Sequence, residues 1–288
     1  MSRKGLLLFL ACGVAWGIPY FFIRIAVQQF DVASVILARV VIGALVLIPI
    51  AIKQNAIRPA LKNFKWVLLF ALIEMVGPWY LITASEKVIS SGLAGLLVST
   101  VPFWSVPIAY FFMGDKSVIH PKTIVGLVVG FAGVALLVGI DTVLGDLNWA
   151  GVIPVLLASV GYAIAPAMAS KKMKDVPTSG VVALSMVIVS VVYAVPGGIG
   201  FSSAIATADW TGWTALLVLG VVCSAVAFWL FFELIREIGS ARATLITYPN
   251  TAIAIVIGIL FLSEPLTPGM ILGFPMVLIG SYFASKKH

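Results

Sequence analysis

The chain has 288 residues and a formal net charge of +7, with 61% hydrophobic and only 10% charged side chains. Soluble domains carry roughly 25% charged residues. This composition, with a mean hydropathy of +1.15, therefore excludes a water-soluble globular protein and places the chain in a membrane. The basic excess does not mark a nucleic-acid binder, because the lysines and arginines sit in short loops between apolar runs.

A bilayer core of about 30 Å is crossed by roughly 20 apolar residues in a helix. Ten such runs follow one another, at about 5–27, 33–52, 66–84, 90–112, 121–139, 149–169, 178–198, 211–234, 240–262 and 268–285. Backbone polar groups must be satisfied within each segment in lipid, so helices are the expected spanning form. The first run follows Arg3 and Lys4, is too long for a signal-peptide core and lacks a clean cleavage site, so it reads as a retained span. Cys12 and Cys223 fall inside apolar spans and read as packing residues, with no disulfide or metal motif implied. Loops on one side carry Lys53, Arg58, Lys62, Lys65, Lys116, Lys122, Lys171, Lys172, Lys174, Arg236, Lys286 and Lys287. The other side holds Lys87 with Asp31, Glu86, Asp141, Asp146 and Asp209. Cytoplasmic loops are the lysine-rich ones, so both termini are expected in the cytoplasm, as an even number of spans requires.

The chain also repeats itself. SSGLAGLLVST at 90–100 resembles GSARATLITYP at 239–249, a shift of 149 that places Tyr80 on Trp229, Lys87 on Arg236 and Asp115 on Glu264. A shift of 146 places Trp16 on Tyr162, and one of 147 pairs Gly126 with Gly273 and Gly133 with Gly280. Residues 1–141 thus correspond to residues 142–288 as two five-helix repeats. Five is odd, so the second copy is expected to cross the membrane in the opposite sense. Inverted repeats are a mark of secondary transporters, with the substrate held near the midplane between the halves.

The residues at this point carry a specific likeness. CGVAWGIPYFFIRIA (12–26), ILARVVIGALVLIPI (36–50), SSGLAGLLVSTVPFWSVPIAYFFMGDKS (90–117), GSARATLITYPNTAIAIVIGILFLSEPLT (239–267) and GFPMVLIG (273–280) together resemble an EamA-type member of the drug/metabolite transporter superfamily. That resemblance covers nearly the whole chain. It implies an all-α membrane protein of ten helices in two inverted repeats, which exports or exchanges small metabolites. Two departures stand out. Family members usually have proline where Thr251 stands, matching Pro102, whereas here the proline is Pro249; and the acidic residue after the fourth span is Asp115 rather than Glu.

Charges inside spans are costly, about 2.5–3.5 kcal/mol at a helix centre on insertion scales, and usually face a cavity or a partner. Arg24, near the end of span 1, is expected to snorkel to the headgroups. Glu233 and Arg236, one turn apart, are expected to pair. Arg39 and Glu74 lie too deep for either solution. They read as an ion pair fixing spans 2 and 3, or as a substrate site, with Glu74 also the expected proton or cation coupling group. An arginine at this place in span 2 is common in the resembled family, which suits a structural role. Beside Glu74, Gly77 and Pro78 should loosen the helical ladder, since Pro78 lacks the N–H that would bond the Glu74 carbonyl. Pro102 and Pro249 are the other expected backbone breaks. An aromatic set completes the expected lining: Trp16, Tyr20, Trp79, Tyr80, Trp104, Tyr162, Trp229 and Tyr248, with Asn250 adding a polar group. Such rings suit a flat or cationic amphipathic ligand.

No HExxH, GxSxG or Walker pattern occurs and no histidine lies within a span, so neither an enzyme, a metal site nor a cofactor is expected. The expected partners are a small-molecule substrate and the lipid bilayer, with a homodimer allowed and no nucleic acid. The expected location is a bacterial-type inner membrane. The alternatives are a non-transporting scaffold or receptor of the same fold, and a proton-coupled carrier of organic cations.

Overall fold

The computed structural model describes residues 2–114, 120–143, 148–238 and 246–285. Every secondary element in them is helical. Seven stretches are long and apolar enough to cross a membrane: Arg3–Ala26, Val32–Lys53, Phe64–Ser85, Ser91–Phe112, Trp149–Lys172, Thr178–Ala204 and Trp210–Phe231. Three shorter apolar stretches, Pro121–Leu136, Pro249–Leu262 and Pro268–Gly280, lie within the spans expected at 121–139, 240–262 and 268–285 but fall short of the length of the other seven. The chain is a multi-pass α-helical membrane protein.

Helix starts follow the local sequence. Asp31 accepts from the backbone N–H groups of Ala33 (2.9 Å) and Ser34 (3.1 Å) and so opens α3 (Val32–Lys53). Asp209 opens α12 (Trp210–Gly220) in the same way. Hydrogen bonds from the side chain of Thr211, then from Gln29 and the Gly212 N–H, hold the Asp209 carboxyl down to about 2. Such side-chain oxygens satisfy donors that the first helical turn leaves open.

Four of the long stretches are broken near their middles. The first divides at Ile18 into α1 (Arg3–Gly17) and α2 (Pro19–Ala26), with Pro19 as the first residue of α2. The third runs as α5 (Phe64–Ala71), a π-helical turn at Leu72–Val76, and α6 (Gly77–Ser85). The fourth divides at Ser99–Thr100 into α7 (Ser91–Val98) and α8 (Val101–Met113), with Pro102 in the first turn of α8. The seventh, which is span 8, runs as α12, a second π-helical turn at Val221–Val226, and α13 (Ala227–Ile238). Proline lacks an N–H and is tolerated in a first turn, so Pro19, Pro78 and Pro102 each begin a helical piece rather than interrupt one. The break at Pro19 was not expected from the sequence. Pro249 lies in the first turn of α14 (Thr247–Leu262), which runs unbroken to Leu262; no break occurs there among the described residues. Asp115 and the segment 239–245 lie outside those residues.

The helices pack with small residues at their crossings, as membrane bundles do where lipid removes the hydrophobic drive between helices. A Cβ on Gly17 would sit 2.8 Å from Ile253 and 3.0 Å from the Asn250 carbonyl, so only glycine lets α1 lie this close to α14. Helix α3 runs along α11 (Thr178–Ala204), and α9 (Pro121–Val143) along α15 (Pro268–Ser285). Helix α10 (Trp149–Lys172) packs on α6 and α8, while α1 packs on α13 and α14.

Contacts tie both ends of the bundle. At the amino-terminal end Lys4 pairs with Glu237 (3.8 Å) and the Lys171 ammonium donates to the Phe112 carbonyl (2.9 Å). At the opposite end Glu264, just beyond α14, caps α7 from outside its own helix. It accepts from the Ser91 N–H (2.7 Å), the Ser91 hydroxyl (2.9 Å) and the Gly92 N–H (3.1 Å).

Candidate functional site

The breaks converge on one cavity of about 180 Å³, enclosed by α1, α2, α3, the first π-helical turn, α6, α7, α8, α10, α13 and α14. Trp16, Tyr20, Arg39, Glu74, Trp79, Tyr162 and Asn250 line it.

Arg39 is held by geometry rather than by an acid. Its Nε donates to the Ser224 hydroxyl (2.8 Å) and its Nη2 to the Cys223 carbonyl (3.5 Å). Both partners belong to the second π-helical turn. The Ser224 hydroxyl donates in turn to the Leu219 carbonyl (2.9 Å). The guanidinium lies over the Trp79 ring, 3.8 Å from its centroid. A guanidinium has five N–H donors, so these bonds leave others for the cavity. The expected ion pair with Glu74 is absent among the described residues, because Arg39 turns toward the second π-helical turn instead.

Glu74 sits within the first π-helical turn, where the Gly77 N–H bonds the Leu72 carbonyl, five residues back. Pro78 has no N–H to continue the α-helical ladder, and at this break the backbone widens into the π-helical turn. Tyr193 of α11 donates to the Val76 carbonyl (2.9 Å), satisfying a group of that turn from outside. Helix α10 presses on the other side, where a Cβ on Gly161 would meet the Ile73 carbonyl at 2.7 Å and Pro78 at 3.0 Å. The Glu74 Oε2 is buried and has no hydrogen-bond partner among the described residues. A partnerless buried carboxyl oxygen at this depth is costly, and its neighbour is the cavity.

Other expected lining residues lie elsewhere. Tyr80 is 46% exposed and Trp229 is 49% exposed, and neither borders the cavity. Successive helical residues point about 100° apart, so a helix that turns Trp79 inward turns Tyr80 outward, and Phe228 displaces Trp229 likewise. The shift of 149 that pairs Tyr80 with Trp229 pairs Trp79 with Phe228 equally well, and this second pair lines the cavity. Trp104 packs edge-on against Phe131 of α9 (6.0 Å), away from the cavity. The Tyr248 side chain lies outside the described residues. Ile82 and Thr83, also in the lining, were overlooked although they follow Trp79 at helical spacing of three and four.

Two further charges differ from expectation. Arg24 does not reach for headgroups; it donates to the carbonyls of Glu86 and Ile89. Glu86, read from the sequence as a loop residue, is fully buried. Glu233 does pair with Arg236 (2.7 Å).

A polar, ring-walled hollow at mid-depth in a many-helix membrane protein defines the class of a solute carrier. The EamA-like transporter family matches residues 3–139 and again residues 149–286, so the chain belongs to that family. Among similar proteins is the uncharacterized inner membrane transporter YedA of Escherichia coli K12, 26% identical over 85% of this chain and 78% of its own length. The uncharacterized transporter YvbV of Bacillus subtilis is 24% identical, over 95% and 89% of the two chains. A probable terminal-alkyne amino-acid exporter of Streptantibioticus cattleyicolor is 22% identical, over 95% and 91%. A chain of known crystal structure superposes with a TM-score of 0.66 at 16% identity, covering 99% of this chain and 97% of its own. That likeness establishes a shared fold.

Proposed function

We propose that this protein is a secondary carrier of small organic metabolites, with amino acids as the favoured substrate class and export or exchange as its direction. It works by alternating access between two inverted halves, residues 1–141 and 142–288, in an inner membrane with both termini cytoplasmic. One observation carries the reading: a cavity at mid-depth joins the Arg39 guanidinium, a Glu74 oxygen without a hydrogen-bond partner among the described residues, and five aromatic rings. Arg39 is placed to meet a carboxylate, and Glu74 an ammonium or a proton. A volume of about 180 Å³ suits a small metabolite, drug-sized pockets running to roughly 300–1,000 Å³. Arg39 in the lining speaks against a carrier of simple organic cations.

Several features support the inverted arrangement. A shift of 149 places the π-helical turn that begins at Leu72 on the one that begins at Val221. In one half Arg39 of α3 bonds the second π-helical turn; in the other Tyr193 of α11 bonds the first. The packing of α1 on α14 likewise corresponds to that of α10 on α8, since the first and ninth spans map onto the sixth and fourth. The family also matches twice along the chain.

The test is counterflow of labelled amino acids in proteoliposomes at several pH values. Glu74→Gln should abolish flux or its pH response while helical content is retained. Unchanged pH-dependent uptake in that variant rejects the role of Glu74, and no counterflow by the parent protein with any metabolite would favour a scaffold or receptor.

A further inference from the structure

Outside the cavity, among the described residues, one more buried carboxyl has no role so far. Glu86 directly follows α6 and is 0% exposed, and both of its carboxyl oxygens are buried with no hydrogen-bond partner among the described residues. Ile82, four residues earlier and so one turn nearer mid-membrane, lines the cavity. The carboxyl therefore stands one turn beyond the cavity wall, at the end opposite the amino terminus.

The charged groups around it come from several elements. Arg24 of α2 donates to the Glu86 backbone carbonyl rather than to the carboxyl group. Arg39 of α3, which lines the cavity, lies within electrostatic reach, as does Tyr20. Glu264 brings a second carboxylate, and its own oxygens are committed to the start of α7. Burial first, and the Glu264 charge second, hold the Glu86 carboxyl well above the usual carboxylate range, against the opposing pull of Arg24 and Arg39. An ionised carboxylate would here be buried without a single hydrogen bond, beside a like charge.

We propose that Glu86 is a proton-binding site that couples protonation to opening of the cavity's far end. It carries its proton while the carboxyl is buried, as here, and releases it to the adjoining solution when that end opens and water reaches it. The O–H bond breaks, the proton passes to water and the carboxylate stays on the protein. Charge on Glu86 then faces charge on Glu264, which drives the end of α6 away from the end of α14. The sign follows from linkage: the closed state binds the extra proton, so it is favoured at low pH and yields to the open state as pH rises through the closed-state range. The coupling to opening rests on the alternating-access reading; the proton site itself does not.

Infrared difference spectroscopy of the purified protein in liposomes, ramped from about pH 5 to about pH 9, tests the site without any substrate. The expected result is a protonated-carboxyl band that persists at least about one pH unit above the ordinary Glu value of about 4.3. It should be missing in Glu86→Gln and kept in Glu74→Gln. Glu264→Gln, which leaves Glu86 in place, should move its midpoint to lower pH. A Glu86→Gln spectrum superimposable on the parent's means an ionised Glu86, as an ion pair with Arg24 would give, and overturns the proposal. A midpoint unmoved by Glu264→Gln overturns it as well.

The second arm reads opening. Ile89 is 5% exposed and Val88 is 48% exposed, whereas the native Cys12 and Cys223 are fully buried. Labelling of Ile89→Cys by a membrane-impermeant maleimide, normalised to Val88→Cys, should rise as pH crosses the band's midpoint. It should stay low throughout when Glu86→Gln is added. Normalised labelling that ignores pH overturns the coupling even where the band is found. A failure of metabolite counterflow would leave the infrared result standing.

Discussion

The two π-helical turns use one backbone device for opposite ends. At Val221–Val226 the widened turn is satisfied: Ser224 bonds Leu219 and Arg39, and the Cys223 carbonyl accepts from Arg39 as well. At Leu72–Val76 the Val76 carbonyl is met by Tyr193, but the turn's only charged side chain keeps a buried oxygen without a partner among the described residues. One turn anchors a cation, and the other presents an acid. A duplicated backbone break is thus not in itself a functional site; what distinguishes the two is whether the side chain at the break has been given a partner.

Substitutions can break that contrast. The largest effect is expected from Arg39→Gln, which removes the guanidinium from the lining while leaving the rings. A hydrogen bond to a charged group contributes about 1.5–3 kcal/mol, so affinity for a carboxylate-bearing substrate should fall roughly 10- to 100-fold. Counterflow over a range of substrate concentrations measures this, and an unchanged half-saturation would assign Arg39 to structure alone. Next comes Gly161→Ala, which drives a methyl group into the Ile73 carbonyl at the first turn. Overpacking of this kind costs about 1–3 kcal/mol. Gly198→Ala, where a Cβ meets nothing within 4 Å, is the matched control and should be neutral or slightly stabilising. Thermal unfolding in detergent separates the two, and equal stabilities would show that α10 does not clamp the turn. The smallest effect belongs to Tyr193→Phe, which removes one hydrogen bond to Val76 and should cost about 1 kcal/mol. If the turn matters for placing Glu74, this variant should also shift the pH dependence of counterflow.

Much of this was legible in the residues. Apolar run length marks helices because lipid offers no partner for backbone groups, and the long stretches fall within a few residues of their expected bounds. Gly77–Pro78 announced a disturbance at Glu74, since a missing N–H acts locally. Its form, a π-helical turn rather than a kink, was not written there, because it depends on α10 and α11 pressing on both sides. Of the expected aromatic set, Trp16, Tyr20, Trp79 and Tyr162 border the cavity, while Tyr80, Trp104 and Trp229 do not and Phe228 does. From Trp210 to Phe231 span 8 carries no charged side chain, so hydrophobic periodicity there gives little means of telling its inner face from its lipid face.

The sequence alone determined the helices, the membrane and the presence of a carboxyl beside a broken ladder, because each follows from local bonding and from what lipid tolerates. Tertiary structure decided which ring faces the hollow, that Arg39 is held by Ser224 rather than by Glu74, and that Glu86 is buried rather than wet. Those outcomes depend on how helices far apart in sequence rotate and cross, and in a chain this uniformly apolar no local pattern records the rotation.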